Sequence, residues 1–234
     1  MTRLIVATDV CVAYKDLRID AIVAEGFNGH QPWPEVADRL AGLEAGAAPA
    51  HGEEDPHIAS WHAAYRGFGT NPRRERPSVD ALRRRLARSG RLPRINPAVD
   101  CYNLVSAQYG VPAGAFDLGA VTGDITIRFA EGSETFTPLG EPGKTEQPRP
   151  GEVIYTDGGG VLTRHWNHRD ADRTKVTPDS SVILFLLETV EAGEFGTRLD
   201  QGSELLVSLL AARSAQVTRH TLTPAVPHTR LARQ

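Results

Sequence analysis

The sequence predicts an α+β fold in which helices pack on a largely antiparallel β-sheet. Apolar residues recur at helical spacing between residues 33 and 110, and short β-rich runs bounded by turn residues fill residues 124–190. The two patterns occupy different halves of the chain. An alternating order would instead argue a parallel sheet.

RLIVATDVCVAY (3–14) reads as one or two strands, and WPEVADRLAGLEAG (33–46) as an amphipathic helix with Val36, Leu40 and Leu43 on one face. The polar break APAHGEEDP (48–56) reads as a loop, and HIASWHAAYRGFG (57–69) as a helix closed by Gly67 or Gly69. Ser78 is placed to cap VDALRRRLARSG (79–90), where Val79, Leu82 and Leu86 share a face and Gly90 supplies the stop. Asn96-Pro97, a cap followed by proline at the first helical position, opens a helix that Gly110 closes. DITIRFA (124–130), ETFTPL (134–139), GEVIYTD (151–157), VLTRHW (161–166) and SVILFLLETV (181–190) then read as strands. The run from Ser181 to Leu187 is too continuously apolar for an exposed strand, so it is expected to be central and buried on both faces. SELLVSLLAARSA (203–215) returns to helix, and QVTRHTLT (216–223) reads as a last strand.

With 234 residues, 40% of them apolar, the chain is long enough to bury a core. Cys11 and Cys101 are too few for a disulfide framework, and the longest N-terminal apolar run, Leu4 to Ala7, is a strand and not a signal peptide. A soluble, cytoplasmic protein without membrane association is therefore expected. The net charge of −3 leaves no global electrostatic footprint for nucleic acid. A local one exists. Between Arg66 and Arg94 stand ten arginines against only Glu75 and Asp80, about +8 in a chain that is negative overall. Such a cluster suits either a solvated helix face or a phosphate-binding patch, in which Arg73, Arg74, Arg83, Arg84 and Arg88 are the candidate contacts.

A second concentration is RHWNHRDADRTKVT, Arg164 to Thr177, which packs charge around Trp166 and Asn167 just before the apolar strand. The stretch INPAVDCYNLVSAQYGVPAGAFDL, the strand TGDITIRFA, GEVIYTD and this charged segment follow one another in the order found in the B3/B4 domain. The chain resembles that domain as it occurs in the beta chain of bacterial phenylalanyl-tRNA synthetase, and resembles more closely the stand-alone proteins built on it. The likeness runs from about Trp61 to Glu191. It implies a division into an N-terminal α/β extension packed on the main domain (1–60), a B3/B4-like domain (61–225) and a C-terminal tail (226–234).

In the synthetase the domain edits, hydrolysing the ester of a wrongly attached tyrosine at the tRNA 3′ end with water as nucleophile. The resemblance thus implies tRNA as partner and no cofactor. Two departures stand out. The pocket histidine of the synthetase motif is Gly114 here, and the family's glutamate, aligned through Val176, is Asp172. No G-x-S-x-G elbow suggests a serine nucleophile instead.

The charged segment is then read as the polar wall of an aminoacyl-nucleotide pocket. Asp172, Asn167 and His168 are its candidate catalytic groups: a carboxylate that takes a proton or holds an ammonium, an amide that orients a carbonyl or a water, and an imidazole. Asn167 serves equally to cap a turn. Trp166 supplies packing or a stacking surface, Thr177 a hydroxyl or a turn, and Arg164, Arg169 and Lys175 cations for terminal phosphates. Asn103, mid-helix and three residues after Asp100, is a candidate substrate contact or a buried brace. His165 and His168 have H-x-x-H spacing, but on a strand leading into a loop they diverge, with at most one in the pocket, so no metal is expected. Three functions fit: a deacylase of mischarged tRNA acting in trans, a transferase passing the acyl group to a small nucleophile, and a tRNA-binding module without catalysis.

Overall fold

The computed structural model describes residues 2–46 and 49–231. It is built of two sheets and a helical layer. A four-stranded antiparallel sheet, in the order β3-β8-β2-β9, holds β2 (Arg18–Glu25), β3 (Ala113–Asp117), β8 (Val182–Thr189) and β9 (Gln216–Leu222). A six-stranded sheet, in the order β10-β1-β4-β5-β6-β7, holds β1 (Arg3–Val6), β4 (Ile125–Phe129), β5 (Val153–Asp157), β6 (Gly160–Arg164), β7 (Arg169–Asp170) and β10 (His228–Arg230). Its pairs are antiparallel except β1 with β4.

The strand β8 shows why the layers stack. Ile183, Phe185 and Leu187 face a core shared with α2 (Pro34–Ala45), α5 (Pro97–Tyr109) and α6 (Ala192–Ala211), while Leu184 and Leu186 face a second core between the sheets. Both faces are covered, so the continuous apolar run is central as its sequence predicts. Glu188 has the parity of Leu184 and Leu186. Strand geometry therefore drives a carboxylate into the layer between the sheets.

Asn96 caps α5 through its side chain, which accepts from the Val99 N–H at 3.0 Å, and Gly110 closes that helix at φ 70°. Gly90 closes α4 (Ser78–Ser89) in the same left-handed way, but Ser78 is already inside the helix, with Pro77 at the cap. Several expectations are corrected. RLIVATDVCVAY folds as β1 followed by a short helix, α1 (Thr8–Ala13). The segment 134–139 makes only isolated bridges, at Phe136 and Pro138, because proline has no N–H to extend a ladder. In the first sixty residues, β1 and β2 lie within the two sheets, each flanked by strands from beyond residue 112. Within the 226–234 segment, β10 pairs with β1; residues 232–234 lie outside the described part. Among the described residues no helix is long and apolar enough to cross a membrane.

Candidate functional site

Where α4, α5, β3 and the β6–β7 turn meet, an open cleft of ≈ 950 Å³ narrows into an inner chamber of ≈ 130 Å³. Ser78, Tyr102, Asn103, Ala113 and His168 line both and form the throat. The cleft wall carries Arg76, Arg84, Arg85 and Arg88 and no carboxylate among the described residues, with an apolar floor at Leu82, Ile95 and Val99.

The β6–β7 turn sets the chemistry of the throat. His165 and Trp166 both adopt left-handed backbone conformations, at φ 46° and 65°. Such conformations are costly for residues with a Cβ and persist where the surroundings over-determine them. Here the Trp166 N–H donates to the Val153 carbonyl at 2.6 Å, and the Trp166 ring, fully buried, sits edge-on to Tyr14 and Trp61. Trp166 is thus a packing residue that also donates its indole N–H to Glu188 at 2.9 Å. The turn sends the two histidines apart. His165 is buried against the Thr70 hydroxyl, 2.9 Å away, outside the chamber, while His168 lines the throat.

His168 Nδ1 lies 2.9 Å from the Arg76 carbonyl. A carbonyl only accepts, so Nδ1 carries the proton and Nε2 keeps its lone pair. Burial lowers the His168 pKa below its ordinary value, which keeps the ring neutral. Asn167 is a connector: its Oδ1 accepts from the Tyr65 hydroxyl at 2.8 Å and its Nδ2 donates to Glu188 at 3.1 Å. Glu188, from β8, also accepts from the Tyr155 hydroxyl, and burial raises its pKa. Asp170 accepts from the Thr163 hydroxyl at 2.8 Å, and burial pushes its pKa up to about 6. Gly114, on β3 opposite Leu186, lines the chamber, and a Cβ built there meets nothing within 4 Å.

The expected residues divide accordingly. Asn103, Gly114, Trp166, Asn167 and His168 meet at the chamber, and Arg84 and Arg88 line the cleft. Asp172 does not reach either; it accepts from the Gly140 N–H at 3.0 Å and from Lys175 at 2.9 Å, a surface turn that occupies both residues. Arg164 is committed to Glu152 and Glu146, at 2.9 and 2.8 Å, and Arg169 to Glu141. Thr177 accepts from the Asp179 N–H within a turn. Arg73 and Arg74 are exposed on the loop before α4, off the cleft wall. Arg83 is buried, ion-paired with Asp55 at 2.6 Å and donating to the Ala107 carbonyl, so it is a brace. Asp100 turns to the Ile95 N–H and leaves Asn103 unpaired with it.

Sequence reading missed Asp170, Glu188, Tyr155 and Tyr102 in the chamber, and Arg76, Arg85 and Ser78 at its approach. The signal for Glu188 was present in its parity with Leu184 and Leu186. For Asp170 it was masked by neighbouring charges, Arg164, Arg169, Asp172, Arg173 and Lys175, that pair with other carboxylates or with each other away from the chamber.

The geometry describes a domain with a cationic cleft leading to a small, buried, polar chamber between two sheets. The family model for the B3/4 domain matches residues 60–198, and the chain belongs to that family. Among its relatives is the phenylalanine–tRNA ligase beta subunit of Mycobacterium leprae, 36% identical over 180 residues, covering 74% of this chain and 18% of that one. The beta subunit of Corynebacterium jeikeium is 36% identical over 93 residues, covering 40% of this chain and 10% of its own. The chain therefore spans under a fifth of the length of these relatives. A crystal structure of an N-terminal fragment of the Pyrococcus horikoshii phenylalanyl-tRNA synthetase beta subunit aligns with a TM-score of 0.48 at 15% identity, covering 93% of this chain and 53% of that one.

Proposed function

We propose that this domain takes the aminoacylated 3′ end of a tRNA into the cleft and hydrolyses its ester at the throat, acting as a deacylase of mischarged tRNA in trans. The observation that carries the reading is His168: a neutral imidazole with a fixed tautomer, its Nε2 unpaired among the described residues, at the point where an arginine-lined cleft narrows into a small chamber. The relatives' names, which pair an amino acid with its tRNA, support the choice of ligand.

In this reading Arg76, Arg84, Arg85 and Arg88 meet the phosphates of the 3′ end, and the aminoacyl group enters the chamber. Nε2 of His168 removes a proton from a water as its oxygen bonds to the ester carbonyl carbon. The Asn103 amide and Ser78 hydroxyl, in the same throat, are donors for the oxyanion that forms. Collapse breaks the bond from carbon to the ribose oxygen, which takes the proton from His168. The products are a free amino acid and a tRNA hydroxyl.

The space at Gly114 favours a second reading, in which an amine acceptor replaces water and the acyl group is transferred. Incubation with a panel of aminoacyl-tRNAs, with and without small amine acceptors, separates them. Ester loss in water alone supports the deacylase, and ester loss only with an acceptor supports transfer. Retained esters under every condition remove both. His168→Ala is expected to slow the reaction about 100- to 10,000-fold.

A further inference from the structure

The cleft and the chamber have opposite charge. Four arginines line the outer wall, whereas the inner chamber has two carboxylates, Asp170 and Glu188, and no lysine or arginine among its lining residues. Glu188 is occupied by three donors, from Tyr155, Trp166 and Asn167. Asp170 is not. One of its oxygens accepts from Thr163, and the other has no donor among the described residues and is not sealed from the chamber. The Ser78 hydroxyl on the same wall is buried and without a partner among the described residues. Asp170 is half-buried, and a carboxylate with an open acceptor site in a narrow chamber holds a cation more strongly than one in open water.

We propose that Asp170 receives the α-ammonium group of the bound aminoacyl moiety, with Glu188 as the second negative charge of the chamber. This rests on the aminoacyl reading of the cleft and adds the group by which that moiety is recognised. Asp170 follows His168 by two residues, roughly 6–7 Å along an extended chain. The α-nitrogen of an aminoacyl ester is two bonds from its carbonyl carbon, so a carbonyl held at His168 carries its ammonium inward towards Asp170. The chamber, at ≈ 130 Å³, is slightly smaller than a cavity of about 150 Å³ that holds benzene, so the aminoacyl head and a short side chain fill it. Two other sources of positive charge, a side-chain ammonium and a free inorganic cation, would not depend on the α-nitrogen.

The groups facing Asp170 are Glu188 from β8, Tyr155 from β5, Tyr102 from α5 and His168 from the turn. Burial raises both tyrosines and lowers His168, so near neutral pH none of the three adds charge beside it, and Glu188, which burial also raises, is the one other acid facing it. Binding of an ammonium then requires Asp170 ionised, above about pH 6, and the α-amino group protonated, below about pH 8.

The test uses two non-hydrolysable probes, 3′-amino-3′-deoxyadenosine acylated through an amide with alanine or with propionic acid, which differ only by the amine. Calorimetry on the full chain is expected to show the alanyl probe binding about 10- to 100-fold more tightly. Asp170→Asn should erase that ratio while leaving propionyl affinity unchanged. In the wild type the ratio should peak between about pH 6 and 8 and fall on either side. The pH profile carries the test without any variant, should Asp170→Asn not fold. Equal affinities in the wild type, a ratio flat with pH, or equal losses for both probes in Asp170→Asn overturn the assignment. So does a β-alanyl probe, whose ammonium sits one carbon further from the carbonyl, that binds as tightly as the alanyl one. A preserved alanyl ratio with no deacylation of any aminoacyl-tRNA leaves Asp170 in place and removes the hydrolase. Deacylation with equal probe affinities does the reverse, and failure of both probes to bind removes both.

Discussion

At the residue scale, Asn167 shows how one side chain ties recognition to stability. It links Tyr65 on α3 (Pro56–Gly67) to Glu188 on β8 across the layer between the sheets. Asn167→Ala leaves a buried hydroxyl and a buried carboxylate each one partner short, a loss on the order of 1–3 kcal/mol. Urea denaturation is expected to show that loss, together with slower deacylation. Asp172→Ala removes only a surface turn contact and is expected to leave the rate within about twofold; a large rate loss there would return the chemistry to the turn at Gly140. Trp166 and Asn167, both at the chamber, stood out in the sequence because apolar and amide groups in a charged run have no solvent role, and His168 stood out by its H-x-x-H spacing. Asp172 lies off the chamber: alignment through Val176 fixes a position along the chain but not the direction of a side chain after a left-handed turn.

At the element scale, α4 presents arginines with different tasks. Val79, Arg83 and Leu86 are spaced four and three residues apart, the inward stripe of a helix, so Arg83 lies among buried residues and Asp55 neutralises it. Arg84, Arg85 and Arg88 point to the cleft. Arg83→Ala takes one of two arginines from buried Asp55, which keeps Arg198 at 2.8 Å, and leaves the Ala107 carbonyl a donor short, so it should cost on the order of 1–3 kcal/mol of stability, read from the shift in thermal or urea midpoint. Arg84 also holds buried Asp80 at 2.8 Å, so the test uses Arg85 and Arg88: replacing both with Glu should leave the fold intact, weaken tRNA binding and lower the slope of log affinity against log salt by about 2. An unchanged slope in that double variant would make the outer face a solvated one. The helical spacing that exposed Val79 and Leu86 to sequence reading also contained Arg83, but a charged side chain in the stripe was counted with its charged neighbours. The strands β2 and β3 were illegible for a related reason. Asp20 interrupts the first, held by Ser203, Thr221 and Arg219, and AGAFD is too short and too rich in small residues to stand out.

At the scale of the whole molecule, the buried titratable groups pull stability in opposite directions as pH changes. His57, held between the Gly110 carbonyl and the Thr189 hydroxyl, and His165, beside Thr70, are both pulled down to about 4, chiefly by burial. Unfolded, each titrates near 6.5. Between about pH 6.5 and 4 the unfolded chain therefore binds more protons than the native one, and stability present above pH 6.5 is lost as the pH falls. Asp170 has the opposite sign. Its native pKa of about 6 lies above the ordinary carboxylate value, so it favours the native state at low pH, a contribution lost as the pH rises through 6. Glu188, also raised, acts in the same direction. In the native protein the histidines and the chamber acids partly cancel between pH 4 and 6. Asp170→Asn removes one opposing group without changing the histidines, so stability measured by urea denaturation should depend more steeply on pH in that window. The expected gain in slope is up to about 1.4 kcal/mol per pH unit. His165→Gln should flatten the same curve. If Asp170→Asn leaves the slope at its wild-type value, Asp170 is ionised in the native chamber throughout the window, and the chamber is wet enough to solvate its charge.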